Sequence, residues 1–208
     1  MPVNVLAALS LLIASAPTPT VRPWTPTPEM IAWAQHFVPA SGSMRHRARA
    51  LHQALVSRRG LGISQQTALS RTATEAFSVR QADCVGFAFL YLGLARALDL
   101  PAYFVLREDR RSAGRLLGAR VVEAHLAVGL WDGSSELVVD HSGFHDHEDF
   151  LFIEDDEAEA ILWSNRGVRS ATEDDCRGAV ANLRRALRLT RDPDIGRNLA
   201  VVSARCGF

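Results

Sequence analysis

The chain has 208 residues, which allows one domain of ordinary size and a short additional element. Hydrophobic residues make up 48% of it, enough for a well-formed core, and 23 basic residues, all arginine, balance 23 acidic ones. The lack of net charge argues against a nucleic-acid partner, and the absence of lysine is typical of a GC-rich genome.

Residues 1–28 differ in composition from the rest of the chain. An apolar run from Val3 to Ala14 is too short to span a bilayer, and Ala14-Ser15-Ala16 resembles the cleavage site of a secretory signal. Five prolines between residues 17 and 28 then predict an extended spacer. This pattern favours export to the periplasm or the exterior, with a cytoplasmic location as the alternative because no basic residue precedes the run. It predicts no stable membrane span.

Three helices are predicted next. Thr27 precedes a helix that has Pro28 at its first position. A second helix is predicted from Ser43 to Arg59, and Gly60 is expected to end it. The segment Thr72-Ala73-Thr74-Glu75 has the pattern of a capping box, which predicts a short third helix.

The most apolar stretch of the chain runs from Cys84 to Leu98. Its apolar residues occupy every face, which predicts a helix buried in the core, and Asp83 is a suitable N-cap. In the first turn of a helix, the amide groups, the positive dipole end and a nearby imidazolium can lower a thiol pKa to ~3.5–7.5. A cysteine in an apolar helix is most often a core residue. At this position, however, Cys84 is a candidate nucleophile.

A strand that carries a histidine is predicted further along the chain. Pro101 to Arg107 is expected to form a first strand, and Glu108 to Gly118, rich in charge and glycine, a loop. From Glu123 to Trp131 the residues alternate as in a half-buried strand, which places His125 on one face. Asp132-Gly133 then predicts a two-residue turn.

The length of this turn decides how His125 meets Asp140 on the following strand. With a two-residue turn the two residues face each other directly, and Val128 faces Leu137, with opposed Cβ atoms about 4.5–5.5 Å apart. A four-residue loop would leave His125 and Asp140 diagonal on the same face, whereas a slip of one residue would separate them. His125 is therefore the candidate general base and Asp140 its orienting carboxylate.

These residues resemble the transglutaminase-like superfamily, the papain-related fold in which a cysteine begins a helix and histidine and aspartate lie on successive antiparallel strands. The resemblance implies an α+β fold in which the cysteine helix packs on a small antiparallel sheet. It also implies that Cys84 is the nucleophile, His125 the base and acid, and Asp140 the orienting carboxylate. Ala82 departs from the pattern, because the family often has glycine there. The similar segments, within about residues 29–150, are Arg71–Phe77, Asp83–Ala88, Leu94–Ala102, Ala124–Leu126 and Val138–Asp140.

The resemblance implies an enzyme that acts on a peptide or glutamine-type amide through an acyl-enzyme. Hydrolysis, as in a protease or deamidase, is favoured over transamidation because crosslinking requires water to be excluded. The backbone amide of Cys84 is the natural oxyanion donor, and Gln81 is a candidate for the second. No cofactor or metal is expected, since the spacing of His141, His145 and His147 is not a recognised zinc pattern.

Beyond residue 156 the pattern becomes helical and repeat-like. The motif Asn165-Arg166-Gly167-Val168 is echoed by Asn198-Leu199-Ala200-Val201, which indicates a helix pair and one further helix. Such a fragment is expected to pack on the catalytic domain, on another chain or on both, and a plain helical hairpin is the alternative. The residues whose spacing is similar to that of tetratricopeptide repeats are Trp163, Gly167, Ala179, Leu183 and Ala186.

The chain thus divides into residues 1–28, a signal segment and spacer; residues 29–155, a transglutaminase-like domain; and residues 156–208, a tetratricopeptide-like segment. The partners expected are a protein or peptide substrate and a protein bound by the last segment. A competing interpretation is a non-catalytic interaction module that uses this segment alone. Cys176 and Cys206 could form a disulfide in an exported chain, although free thiols are equally consistent with the sequence.

Overall fold

A computed structural model describes residues 21–66, 70–116, 119–145 and 150–207, and for residues 108–124 it describes the backbone only. The predicted signal segment, residues 1–16, lies outside this part of the chain. None of the described helices is both long and apolar enough to cross a bilayer.

The described residues form a mixed helical and sheet fold, which confirms the α+β class. The helices are α1 (Pro28–Phe37), α2 (Met44–Val56), α3 (Ala73–Val79), α4 (Cys84–Ala97), α5 (Asp155–Thr172), α6 (Cys176–Leu189) and α7 (Pro193–Cys206). The strands are β1 (Ser64–Gln65), β2 (Gln81–Ala82), β3 (Ala102–Leu116), β4 (Ala119–Trp131), β5 (Glu136–Asp140), β6 (Gly143–His145) and β7 (Phe150–Ile153).

Side-chain caps begin the helices where the sequence predicts. Thr72 Oγ1 accepts a hydrogen bond from the Glu75 amide at 3.3 Å, and the Glu75 carboxylate accepts one from the Thr72 amide at 2.7 Å, so α3 begins with a complete capping box. The predicted end of α2 is wrong by three residues, because α2 ends at Val56. The chain turns back there, and Gly60 comes so near α2 that a Cβ would lie 2.0 Å from the Ala54 oxygen.

The main sheet has the strand order β6-β5-β4-β3-β7, and all of its pairs are antiparallel. Helix α4 packs against one face of this sheet, where Leu126, Val128 and Val139 are fully buried. The residues from Val85 to Ala95 are buried on every side of α4, which confirms the prediction of a core helix. The sheet and α4 therefore share one hydrophobic core.

The sheet curls so that its two edge strands approach each other. Although β6 and β7 lie at opposite edges, the ring centroids of His145 and Phe150 are 6.2 Å apart. The face turned away from α4 holds a small second cluster, in which Val105, Ala127 and Val138 are buried. The two faces of the same strands thus line different parts of the protein, as the period of two along a strand requires.

Residues 108–116 belong to β3, and those from Ser112 onward are paired with β4, where the sequence predicts a loop from Glu108 to Gly118. The prediction was wrong because β3 and β4 continue as a two-stranded antiparallel ribbon from Ser112 paired with Glu123 to Leu116 paired with Ala119. A ribbon with one partner strand satisfies its backbone through that pairing and does not need the apolar alternation of a half-buried strand. The charge-rich composition therefore does not exclude it.

The turn between β4 and β5 also differs from the direct pairing that a two-residue turn predicts. Val128 pairs with Val139 and Trp131 with Glu136, so four residues form the turn. The Asp132 carboxylate accepts hydrogen bonds from the backbone amides of Ser134 and Ser135 at 3.0 and 2.9 Å, and these bonds favour the longer turn.

The C-terminal helices are three in number, as predicted for residues 156–208. Helices α5 and α6 approach closely at Gly167, where a Cβ would lie 2.6 Å from Leu183 Cγ and 3.0 Å from the Ala179 carbonyl oxygen. A disulfide joins Cys176 and Cys206, with 5.6 Å between the Cα atoms, so it links the start of α6 to the end of α7. The small side of α5 at Gly167 thus allows α6 to approach closely.

Helix α5 also belongs to the core of the preceding domain. Ala158 and Leu162 are completely buried there. The Arg96 guanidinium at the end of α4 donates two hydrogen bonds to the Asp155 carboxylate, at 2.7 and 2.9 Å. The C-terminal helices are thus packed onto the preceding domain, one of the arrangements that the sequence predicts.

Candidate active site

Cys84 is the first residue of α4 and is partly buried. Asp83 caps this helix, since its Oδ1 accepts a hydrogen bond from the Gly86 amide at 2.8 Å. Burial raises the pKa of the Asp83 carboxyl, while hydrogen bonds from Ser70 and the Gly86 amide act against that rise. The disulfide of the chain does not involve Cys84, so its sulfur is a thiol at the positive end of a helix dipole.

The structure brings His125 and Asp140 together. His125 Nε2 lies 3.1 Å from Asp140 Oδ2, and the Asp140 residue is only 7% exposed. The four-residue turn makes the two residues diagonal neighbours on one face, which is the alternative arrangement predicted for the longer turn. Because an ionised carboxylate only accepts hydrogen bonds, the proton in this bond is on His125 Nε2. The ring nitrogen that faces away from Asp140 is then Nδ1.

Asp140 receives more hydrogen bonds than the sequence predicts. Its Oδ1 accepts from the Ser142 amide at 2.7 Å and from Ser142 Oγ at 2.6 Å, and His145 Nε2 lies 2.9 Å away. Burial opposes ionisation, but the hydrogen bonds from His125, Ser142 and His145 outweigh it and hold the pKa of Asp140 well below its usual value. Asp140 is therefore a permanent anion at neutral pH.

His145 is the site residue that the sequence pattern missed. The only functional role that its position among other histidines and acidic residues suggests is a metal site, which its spacing argues against. A three-residue strand such as β6 also has too few residues for periodicity to be recognised. In the structure His145 pairs with Val138 across β5 and β6, which turns its ring toward Asp140. Within the described ranges no cluster of His, Cys, Asp and Glu could hold a metal ion, and His147 lies outside those ranges.

The start of α4 and the end of β5 meet at the same end of the sheet. The rings of Phe87, in the first turn of α4, and His141, directly after Asp140, are in edge contact with centroids 5.4 Å apart. His141 Nε2 lies 3.3 Å from the carbonyl oxygen of Ile63, which precedes β1. Strand β1 pairs with β2, the strand that contains Gln81 and leads into Cys84. The residues before Cys84 and after Asp140 are thus tied to one another.

The C-terminal helices reach this site through Ser70. The Ser70 side chain donates a hydrogen bond to Asp83 Oδ2 and accepts one from Asn165 Nδ2 at 3.2 Å. Arg166 Nε donates to the Ser70 carbonyl at 2.8 Å, and the same guanidinium pairs with Glu75. Helix α5 therefore supports Asp83, the aspartate that caps α4.

An apolar groove lies beside the histidine pair. It has a volume of about 510 Å³, and Phe150, the neighbour of His145, forms part of its wall with Tyr103, Val138 and Trp131. Trp131 is 49% exposed, so the groove is open to solvent.

Comparison of the chain with protein-family models, with curated proteins and with solved structures finds no match.

Proposed function

We propose that this protein is a cysteine-dependent enzyme with a transglutaminase-like, papain-related core that acts on a peptide or glutamine-type amide. The observation that carries the proposal is the hydrogen bond from His125 to the buried carboxylate of Asp140. By strand alternation this pair shares the sheet face of Ala127 and Val138, which is turned away from α4, but it lies at the end of the sheet where His141 contacts Phe87 in the first turn of α4. A histidine oriented by a permanent anion is the partner that a thiol nucleophile needs. Cys84 is the nucleophile, His125 the base and acid, and Asp140 the orienting carboxylate.

In the proposed reaction, His125 takes the thiol proton and the Cys84 sulfur attacks the amide carbonyl. The backbone amide of Cys84 donates a hydrogen bond to the developing oxyanion. His125 then gives its proton to the leaving nitrogen, the carbon–nitrogen bond breaks, and a thioester with Cys84 remains. A water molecule, deprotonated by His125, attacks the thioester and releases the carboxylic acid and the thiol.

Hydrolysis is favoured over transfer to an amine. The side chain of His125 keeps 16% of its surface exposed and Cys84 is only partly buried, so water has access to the thioester. The open apolar groove at Phe150 supports a peptide substrate, since it could hold an apolar side chain next to the site. A protease or deamidase is therefore proposed in preference to a crosslinking enzyme.

The test is the rate of Cys84 alkylation by iodoacetamide as a function of pH. Wild type should titrate well below the reference thiol pKa of about 8.5, and His125→Ala should lose this behaviour. His46→Ala is the matched control, because His46 is an exposed histidine on α2. Ordinary thiol behaviour in wild type would reject the ion pair. Incubation with a peptide library, followed by mass spectrometry, then distinguishes cleavage from deamidation.

The competing proposal is a non-catalytic interaction module based on residues 156–208. Its support is the three-helix arrangement with small residues at the α5–α6 contact. The burial of α5 in the core of the preceding domain gives these helices a structural role as well. Complementation by a Cys84→Ala variant separates the two proposals, because only an interaction module works without the thiol.

We also propose export of the chain. The disulfide between Cys176 and Cys206 supports this location, because disulfides persist in oxidising compartments. Cell fractionation with mass determination of the mature N-terminus tests both export and cleavage after Ala16.

A further inference from the structure

We propose that His145 is a positioning residue for the Cys84–His125–Asp140 reaction, and that it holds Asp140 so that Oδ2 faces His125. The inference rests on the proposed function, since it gives His145 a role in the same site. The two histidines bind different oxygens of one carboxylate, at 2.9 Å for His145 and Oδ1 and at 3.1 Å for His125 and Oδ2.

The geometry of a carboxylate explains how His145 can act at a distance from the reacting atoms. The group is planar, so fixing Oδ1 also fixes the direction of Oδ2. Ser142 donates two hydrogen bonds to Oδ1 but is an exposed residue of the turn that directly follows Asp140, so it lies on the same short segment as the carboxylate. His145 Nε2 lies 2.9 Å from Oδ1 and 3.2 Å from Ser142 Oγ, so a residue of β6 contacts both the carboxylate and the serine that bonds to it.

His145 is itself held in place by its surroundings. Its residue pairs with Val138 in the sheet, and Ser142 Oγ lies 3.2 Å from its Nε2. Its ring also contacts Phe150, on the strand at the opposite edge of the curled sheet. Asp140 is thus connected through His145 to both edges of the sheet, and a side chain held in this way orients its partner more sharply than a flexible one.

Several charged or titratable groups surround the pair and must be considered together. His125 approaches from β4, and His52 on α2 has Nε2 3.1 Å from the Asp140 carbonyl oxygen. Burial lowers the pKa of His52, which favours its neutral form. From β3, the Arg107 guanidinium carbon lies 5.6 Å from the centroid of the Phe150 ring that contacts His145. These groups remain when His145 is replaced, so a variant at position 145 reports on His145 alone.

Positioning and competition for charge predict opposite results. If His145 positions the carboxylate, its removal lets Oδ2 turn away and the His125 imidazolium is less stabilised. If His145 instead competes for the carboxylate as a second cation, its removal leaves more negative charge for His125 and stabilises the imidazolium. The direction of the change therefore decides between the two roles.

The experiment is a pH titration of the His125 ring by NMR in the full chain, for wild type, His145→Ala and His145→Gln. With His145→Ala the His125 midpoint should fall and Cys84 alkylation on the acid side should slow, because the imidazolium that stabilises the thiolate is then less populated. His145→Gln should stay near wild type, because its amide nitrogen can donate the same bond without titrating. His46→Ala should change neither quantity.

An unchanged or raised His125 midpoint in His145→Ala would overturn the proposal. If His145→Ala does not fold, His145→Leu takes its place, because leucine fills the space of the ring without a donor: a lower midpoint than in His145→Gln supports positioning, and an equal or higher one refutes it. If Cys84 alkylates as an ordinary thiol in wild type, the enzymatic proposal fails. The His125 titration still decides the role of His145, so the two failures are distinguishable.

Discussion

The contact between α5 and α6 allows a prediction in which two glycines give opposite results. Both Gly167 and Gly196 lie inside helices, where replacing glycine by alanine is worth about 1 kcal/mol in helix propensity. A Cβ at Gly167 would lie 2.6 Å from Leu183 Cγ and 3.0 Å from a backbone oxygen, whereas a Cβ at Gly196 would have no atom within 4 Å.

The expected magnitudes follow from these distances. Overpacking costs about 1–3 kcal/mol, and the gain of about 1 kcal/mol in helix propensity offsets part of that cost. Gly167→Ala should therefore lower the free energy of unfolding by about 0–2 kcal/mol. Gly196→Ala should raise it by roughly 0.5–1 kcal/mol. Since 1 kcal/mol shifts the melting temperature of a chain of this size by about 2–4 °C, calorimetry can resolve the difference in sign.

The same pair of variants tests whether the C-terminal helices matter to the site. Because Asn165 and Arg166 on α5 hold Ser70, a displaced α5 should also change the rate of Cys84 alkylation in Gly167→Ala. Gly196→Ala should leave that rate unchanged. Equal stabilisation by both substitutions would refute the close approach of α5 and α6.

Three further predictions concern the proposed catalytic residues. Cys84→Ala should keep the fold, with a loss of about 1–2 kcal/mol in unfolding free energy, and should abolish amide cleavage. Full complementation of a knockout by this variant would reject the enzyme assignment. Asp140→Asn should lower the catalytic rate by orders of magnitude and affect substrate binding less, because His125 loses its charged partner; unchanged kinetics would exclude the orienting role. The melting-temperature difference between wild type and Asp140→Asn should narrow in acid. The pKa of Asp140 is lowered in the folded state, so the ionised carboxylate stabilises the fold at pH values above the unfolded pKa of about 3.9, and this stabilisation is lost as the pH falls below that value. A melting-temperature difference that grows in acid would contradict this pH dependence.

Local signals in the sequence were sufficient to predict where the helices start and that α4 is buried in the core. The caps at Thr27, Thr72 and Asp83 involve residues within three positions of each other, so they form whatever the rest of the chain does. The period of two along β4 and β5 likewise predicts that His125 and Asp140 share a face for either of two turn lengths. The pairing of these two residues could therefore be predicted before their strand register was known.

Tertiary structure decided the features that depend on distant segments. The hydrogen bonds of Asp132 in the four-residue turn are local, but Asp132-Gly133 also favours a two-residue turn, and the pairing of β4 with β5 decides between the two. The contact of His145 with Asp140 requires β6 to fold back along β5. The hydrogen bonds that join Asp83, Ser70 and Asn165 require α5 to pack at the start of α4, although α5 begins 72 residues after Asp83. Such contacts arise because the hydrophobic core brings distant segments together. The burial of apolar surface is non-directional, so the pattern of apolar residues in the sequence does not predict which polar side chains come into contact.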